Sequence, residues 1–86
     1  MSRNILLYSA EMCSDCQKLK DFMDREGIEY ELRDIRKHSE HAQDLQANTG
    51  KEGVPYLVID GQWIRGYPLG QRFTDDFARS LFEQDA

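Results

Sequence analysis

Two cysteines separated by two residues, Cys13 and Cys16, lie where a short apolar run gives way to a helical pattern, and they are the only cysteines in the chain. Upstream, Ile5-Leu6-Leu7-Tyr8 has the length of a strand; downstream, Leu19, Phe22 and Met23 recur at helical spacing until Gly27. The pair therefore straddles a helix N-terminus. A thiol placed there faces unpaired backbone N–H groups and the positive end of the helix dipole, both of which favour the thiolate. A thiolate is the nucleophile of disulfide exchange, and Cys16, one turn further on, is close enough to attack a mixed disulfide formed on Cys13. The stretch predicts a dithiol redox site.

A chain of 86 residues has room for one small domain, spanning residues 1–86, with one core. Hydrophobic residues at 40% and charged residues at 31% predict a folded globular chain rather than a disordered one. The formal net charge of -5, with no basic cluster, argues against nucleic acid as a partner. The residues before Ser9 are too few for a secretory apolar region, and no later run reaches the length that spans a bilayer. The expectation is a cytoplasmic protein with no membrane partner. In a reducing compartment, cysteines at this spacing read as catalytic or metal-binding rather than as a structural staple.

In chain order, residues 4–8 predict a buried central strand, and residues 14–26 an amphipathic helix with Leu19, Phe22 and Met23 inward. Over residues 28–35, Ile28, Tyr30 and Leu32 alternate with Glu29, Glu31 and Arg33, the period of a strand. A strand, helix, strand order implies a right-handed parallel crossover. Ser39 is placed to cap a second helix over residues 39–48, thinly apolar through Ala42 and Leu45, with Gly50 beyond its end. Residues 56–59 and 62–65 flank Asp60-Gly61 as a hairpin, and a closing helix is expected over residues 69–83, with Phe73, Phe77, Ser80 and Leu81 on one face. The predicted order is βαβαββα.

These features together resemble the glutaredoxins, a branch of the thioredoxin superfamily. The resemblance is carried by Tyr8-Ser9 ahead of Cys13-Ser14-Asp15-Cys16, by Val54-Pro55 before an apolar strand, by Asp60-Gly61 at the hairpin and by Gly66 ahead of the last helix. It implies an α/β, thioredoxin-like fold, a four-stranded mixed sheet with flanking helices. It further implies a cis peptide bond at Pro55, beside the active-site sulfurs, with the backbone of Val54 free to pair with an extended thiol substrate. Tyr8, Val54, Pro55 and Gly66 would line that groove. The activity implied is thiol–disulfide exchange on disulfide-containing proteins or small disulfides, with Cys13 attacking and Cys16 resolving to a Cys13–Cys16 disulfide. No bound cofactor is implied; glutathione or a reductase would supply electrons.

Several positions depart from the usual pattern of the family. Ala10 stands where a lysine is common, Leu69 where an aspartate helps to hold glutathione, and Arg65 replaces a glycine. Ser14-Asp15 replaces Pro-Tyr, and the anions Asp15 and Glu11 oppose the effect of the helix terminus on a nearby thiolate, which predicts a more reducing couple. Arg65 is a candidate contact for the carboxylate of a thiol ligand. Trp63 and Tyr67 are similar in placement to aromatics of glutaredoxin-like electron donors that thioredoxin reductase serves, and both also suit a half-buried hairpin.

Two other classes of function fit these residues less well. Cys13, Cys16, His38 and His41 are the complete set of cysteines and histidines, but 21 residues separate Cys16 from His38 and only two separate the histidines, unlike a zinc finger. No metal is expected. A redox-inert binding module on the same fold is opposed by retention of both cysteines. With no long apolar patch, the domain is expected to be a monomer.

Overall fold

The computed structural model describes residues 4–83. Its elements are β1 (Ile5–Ser9), α1 (Ser14–Arg25), β2 (Glu31–Asp34), α2 (Ser39–Thr49), β3 (Tyr56–Ile59), β4 (Gln62–Arg65) and α3 (Asp75–Leu81). The strands form one mixed sheet in the order β2-β1-β3-β4, thioredoxin-like in arrangement. β1 runs parallel to β2, with Leu7 opposite Leu32, and antiparallel to β3, with Leu7 opposite Leu57. β3 and β4 make the expected hairpin, with Asp60 and Gly61 at positive φ.

The period of two along β1 sends alternate side chains to opposite faces of the sheet. Ile5 and Leu7 meet Leu19, Phe22 and Met23 of α1 and Ala78 and Leu81 of α3 in the larger buried cluster. Leu6 and Tyr8 point the other way, toward Leu45 of α2 and Val58. The expected single core is thus divided by the sheet into two, each covered by helix. Full burial of a side chain such as Leu19 contributes about 1.5–3 kcal/mol, so α1 is anchored by its apolar stripe.

Four local expectations are corrected. β2 is four residues long and Leu32 is 48% exposed, because this strand pairs on one side only; Ile28 and Tyr30 pack on the core from the loop ahead of it. The N-cap of α2 is His38, not Ser39, and its side chain makes no capping bond. α3 begins at Asp75 instead of near residue 69, since the Thr74 side chain accepts the Phe77 N–H at 3.1 Å and sets the start there. On that helix Ser80 is exposed and donates to the Phe77 carbonyl, while Ala78 takes the inward place.

Candidate active site

The two cysteines are presented by the β1–α1 junction. Cys13 is the N-cap of α1: its backbone is extended, and its sulfur accepts the Cys16 N–H at 3.2 Å. Met12, immediately before it, holds φ of 61° and is fully exposed, so the chain turns sharply outward just ahead of the cap. Both cysteines are unbridged; Cys13 is half-buried, whereas Cys16 is 1% exposed beneath it. On the α1 side of Cys13 a cavity of about 550 Å³ opens, edged by Ala10, Met12, Gln17 and Lys20.

Burial pushes the Cys16 thiol up to about 12. A hydrogen bond with Cys13 and repulsion from a Cys13 thiolate act in the same direction; bonds from the Ser9 side chain and the Ala10 backbone act against it. Ser9 is a buried polar side chain at the end of β1, on the same face as Ile5 and Leu7. Sequence reading passed over it as a site residue: alternation along β1 groups it with Ile5 and Leu7, but only the fold shows that this is the face that receives α1.

Opposite Cys13 stands the segment ahead of β3. The Val54–Pro55 peptide bond is cis, as the resemblance implied. The Cys13 thiol lies 3.9 Å from the Val54 carbonyl, and among the described residues no backbone hydrogen bond engages Val54. Gly66 is buried against this segment: its N–H donates to the Pro55 carbonyl at 3.0 Å, and a Cβ there would come within 2.9 Å of that oxygen and 3.0 Å of the Leu19 side chain. Only glycine permits so close an approach. Arg65, next to it, is exposed; its Nε donates to the Tyr67 carbonyl at 2.9 Å and its guanidinium lies 5.6 Å from the Tyr67 ring centroid.

Tyr8, expected along the groove, is instead 1% exposed in the core on the α2 side. The alternation of β1 turns it away from α1. Its hydroxyl accepts from Arg33 at 3.0 Å, and its ring packs 5.1 Å from Trp63, which accounts for Trp63 as a packing residue of the hairpin. Cys13, Cys16, Val54, Pro55 and Gly66 are brought together; Arg65 borders them. Of the two anions near the cysteines, Glu11 is paired with Lys37 at 3.3 Å, a cation that sequence reading did not place here. Among the described residues, no group of three or more His, Cys, Asp and Glu side chains is arranged to hold a metal ion, and no helix is long and apolar enough to cross a membrane.

The glutaredoxin family model matches residues 5–64. The chain belongs to the glutaredoxin family. Glutaredoxin 1 of Escherichia coli K12 is 32% identical over 69 residues, covering 72% of this chain and 81% of that protein. The Gene 56 protein of Mycobacterium phage D29 is 29% identical over 56 residues, 65% of this chain and 62% of its own length, so the match spans less than two thirds of that relative. Among solved structures, a point mutant of the thioredoxin-like protein BC3987 superimposes with a TM-score of 0.73 at 23% identity, over 92% of this chain and 99% of that one. A buckwheat glutaredoxin–glutathione complex does so with a TM-score of 0.64 at 24% identity, over 73% and 60%. Membership of the glutaredoxin family supports a function of the thiol–disulfide oxidoreductase kind.

Proposed function

We propose that the protein reduces disulfides of proteins or small thiols by cycling the Cys13–Cys16 pair between dithiol and disulfide. The observation that carries this reading is the asymmetry of the two thiols: Cys13 half-buried at the helix terminus facing Val54, Cys16 buried behind it with its proton held up to about 12. Cys13 is then the attacking thiolate. It forms a bond to one substrate sulfur, the substrate S–S bond breaks, and the first product leaves as a thiol after taking a proton.

In the mixed disulfide Cys13 is neither a hydrogen-bond partner that favours the Cys16 proton nor a nearby charge. The bonds from Ser9 and Ala10 remain, and they favour a Cys16 thiolate. Cys16 gives up its proton and attacks the Cys13 sulfur. The second substrate sulfur departs as a thiol, and a Cys13–Cys16 disulfide is left. Val54 supplies free backbone groups to an extended substrate segment, Pro55 and Gly66 form the wall beside it, and Arg65 is placed to contact a carboxylate. Tyr8 acts only by packing β1 against the hairpin.

The test is a pair of variants. Cys13→Ser is expected to abolish exchange, whereas Cys16→Ser is expected to accumulate a mixed disulfide with substrate, visible as added mass that dithiothreitol removes. Full activity in the Cys13 variant would overturn the assignment. The electron source is read in the same assay by supplying reduced glutathione with glutathione reductase, or thioredoxin reductase, each with NADPH. The solved relative in complex with glutathione favours the first, and the packing of Trp63 on Tyr8 removes one reason for preferring the second.

A further inference from the structure

The sheet ends at β2, which pairs with β1 alone. The Ile35 N–H donates to the Ser9 carbonyl at 2.9 Å, so by alternation Glu31 and Arg33 also turn their backbone groups toward β1, while Leu32 turns its N–H and carbonyl outward. The side chains alternate as well. Leu32 lies on the face of Leu7 and is 48% exposed; Glu31 and Arg33 lie on the face of Tyr8. Arg33 is held in place from two sides: its Nε donates to the Glu31 carboxylate at 2.8 Å and its Nη1 to the Tyr8 hydroxyl at 3.0 Å. Its Nη2 and the second oxygen of Glu31 stay open among the described residues.

We infer that β2 is a self-pairing edge, on which a second copy of this chain lays its own β2 antiparallel about a two-fold axis at Leu32. In that register the two Leu32 residues stand opposite each other, exchange both N–H···O=C bonds and bring their exposed side chains together. Glu31 of each copy then faces Arg33 of the other in the closely spaced pairs of the ladder, with Cα atoms about 4.5 Å apart. The four charges alternate in sign, and each Arg33 meets its second carboxylate with the nitrogen that its own chain leaves open. Other registers fail. A slip by one residue either way sets Leu32 against a charged residue and its outward backbone groups against groups already bonded to β1; a slip by two sets Arg33 against Arg33 or Glu31 against Glu31. Charges that ordinarily keep an edge single thus leave one register open. β4, the other edge, carries one charge, Arg65, and has no such complement. The Asp34 carbonyl accepts the His38 N–H at 3.2 Å, which keeps the pairing short, and a contact of this size gives a dissociation constant on the order of 1 mM. β2 lies across β1 from β3 and the cis-proline segment, so both copies keep Cys13 accessible.

The experiment follows self-association of the reduced full-length chain by sedimentation equilibrium and amide chemical shifts, from micromolar to millimolar concentration, with dithiothreitol present to exclude disulfide-linked pairs. The mean mass is expected to rise toward that of a dimer, and the concentration-dependent shifts to centre on Leu32 and its neighbours and not on β4. Glu31→Lys and Arg33→Glu are each expected to stay monomeric, since each sets like charges across the pair. Mixed in equal amounts they are expected to associate, because every facing pair is again of opposite sign; misfolding does not imitate such a rescue. Leu32→Pro deletes an outward N–H while sparing the bonds to β1, and is also expected to stay monomeric. A parent chain that remains monomeric at millimolar concentration leaves the edge to a strand of some other protein and overturns the proposal. Shifts centred away from β2, undiminished association of Glu31→Lys or Leu32→Pro, or a mixture of the two folded charge variants that stays monomeric would each overturn it as well.

Discussion

At Cys13 one sulfur has two duties, closing the end of α1 through the Cys16 N–H at 3.2 Å and facing the Val54 carbonyl at 3.9 Å. The two duties separate by substitution. Serine keeps an acceptor at the cap, and a hydroxyl accepts better than a thiol, so Cys13→Ser is expected to fold with stability within about 0.5 kcal/mol of the parent despite losing exchange. Cys13→Ala removes the acceptor and is expected to cost about 1 kcal/mol in urea unfolding. Equal stability in the two variants would show that the sulfur does not cap the helix. The residue scale is also where sequence reading was least complete. The pair Cys13 and Cys16 was legible from spacing and from the strand-to-helix change around it. The burial of Tyr8 and the approach of Ser9 to Cys16 were not read, because both depend on which face of β1 receives α1, and the alternating pattern alone does not say which.

At the scale of elements, the cis Val54–Pro55 segment lies close against Gly66, which is itself backed by the Leu19 side chain. Gly66→Ala inserts a methyl 2.9 Å from the Pro55 carbonyl, where backbone rather than a flexible side chain must yield. Such overpacking costs about 1–3 kcal/mol. The variant is expected to lose stability by that amount in urea and to slow exchange, since Pro55 and Val54 move relative to Cys13; unchanged rates would show that the segment's position does not govern the chemistry. The elements themselves were largely legible: β1, α1 and the β3–β4 hairpin carry strong periods and clear punctuation, and the order βαβαββα follows. What was misread lies where tertiary context decides. Leu32 alternates like a buried residue, but its strand has a neighbour on one side only. Phe73 fits a helical face though it precedes the helix, because it packs on the core from the turn that Thr74 then caps.

For the molecule as a whole, the buried Cys16 thiol links folding to alkaline pH. Its proton is held in the folded chain up to about 12 against an ordinary value of 9.0, so the folded state binds the proton more tightly than the unfolded state. The stability this represents is fully present below pH 9 and is lost as pH rises toward 12, at no more than about 1.4 kcal/mol per pH unit. Tyr30, raised by burial and by Asp24, has the same sign. Comparing the reduced protein with Cys16→Ser isolates the cysteine: urea midpoints are expected to run parallel below pH 9 and to diverge above it, the parent falling faster. Parallel curves to pH 11 would mean that Cys16 ionises without resistance in the folded chain. The division of the sheet into two covered faces explains why this thiol is so well enclosed, since α1 and its packed neighbours close over the side on which Cys16 lies.

The unequal depth of the two sulfurs has one more consequence. An oxidant, an alkylating agent or a soft metal arriving from solution meets Cys13 and never Cys16 first. In the proposed cycle that makes Cys13 a single gate for two electrons, and whatever occupies that gate, productive or toxic, holds up all the traffic behind it.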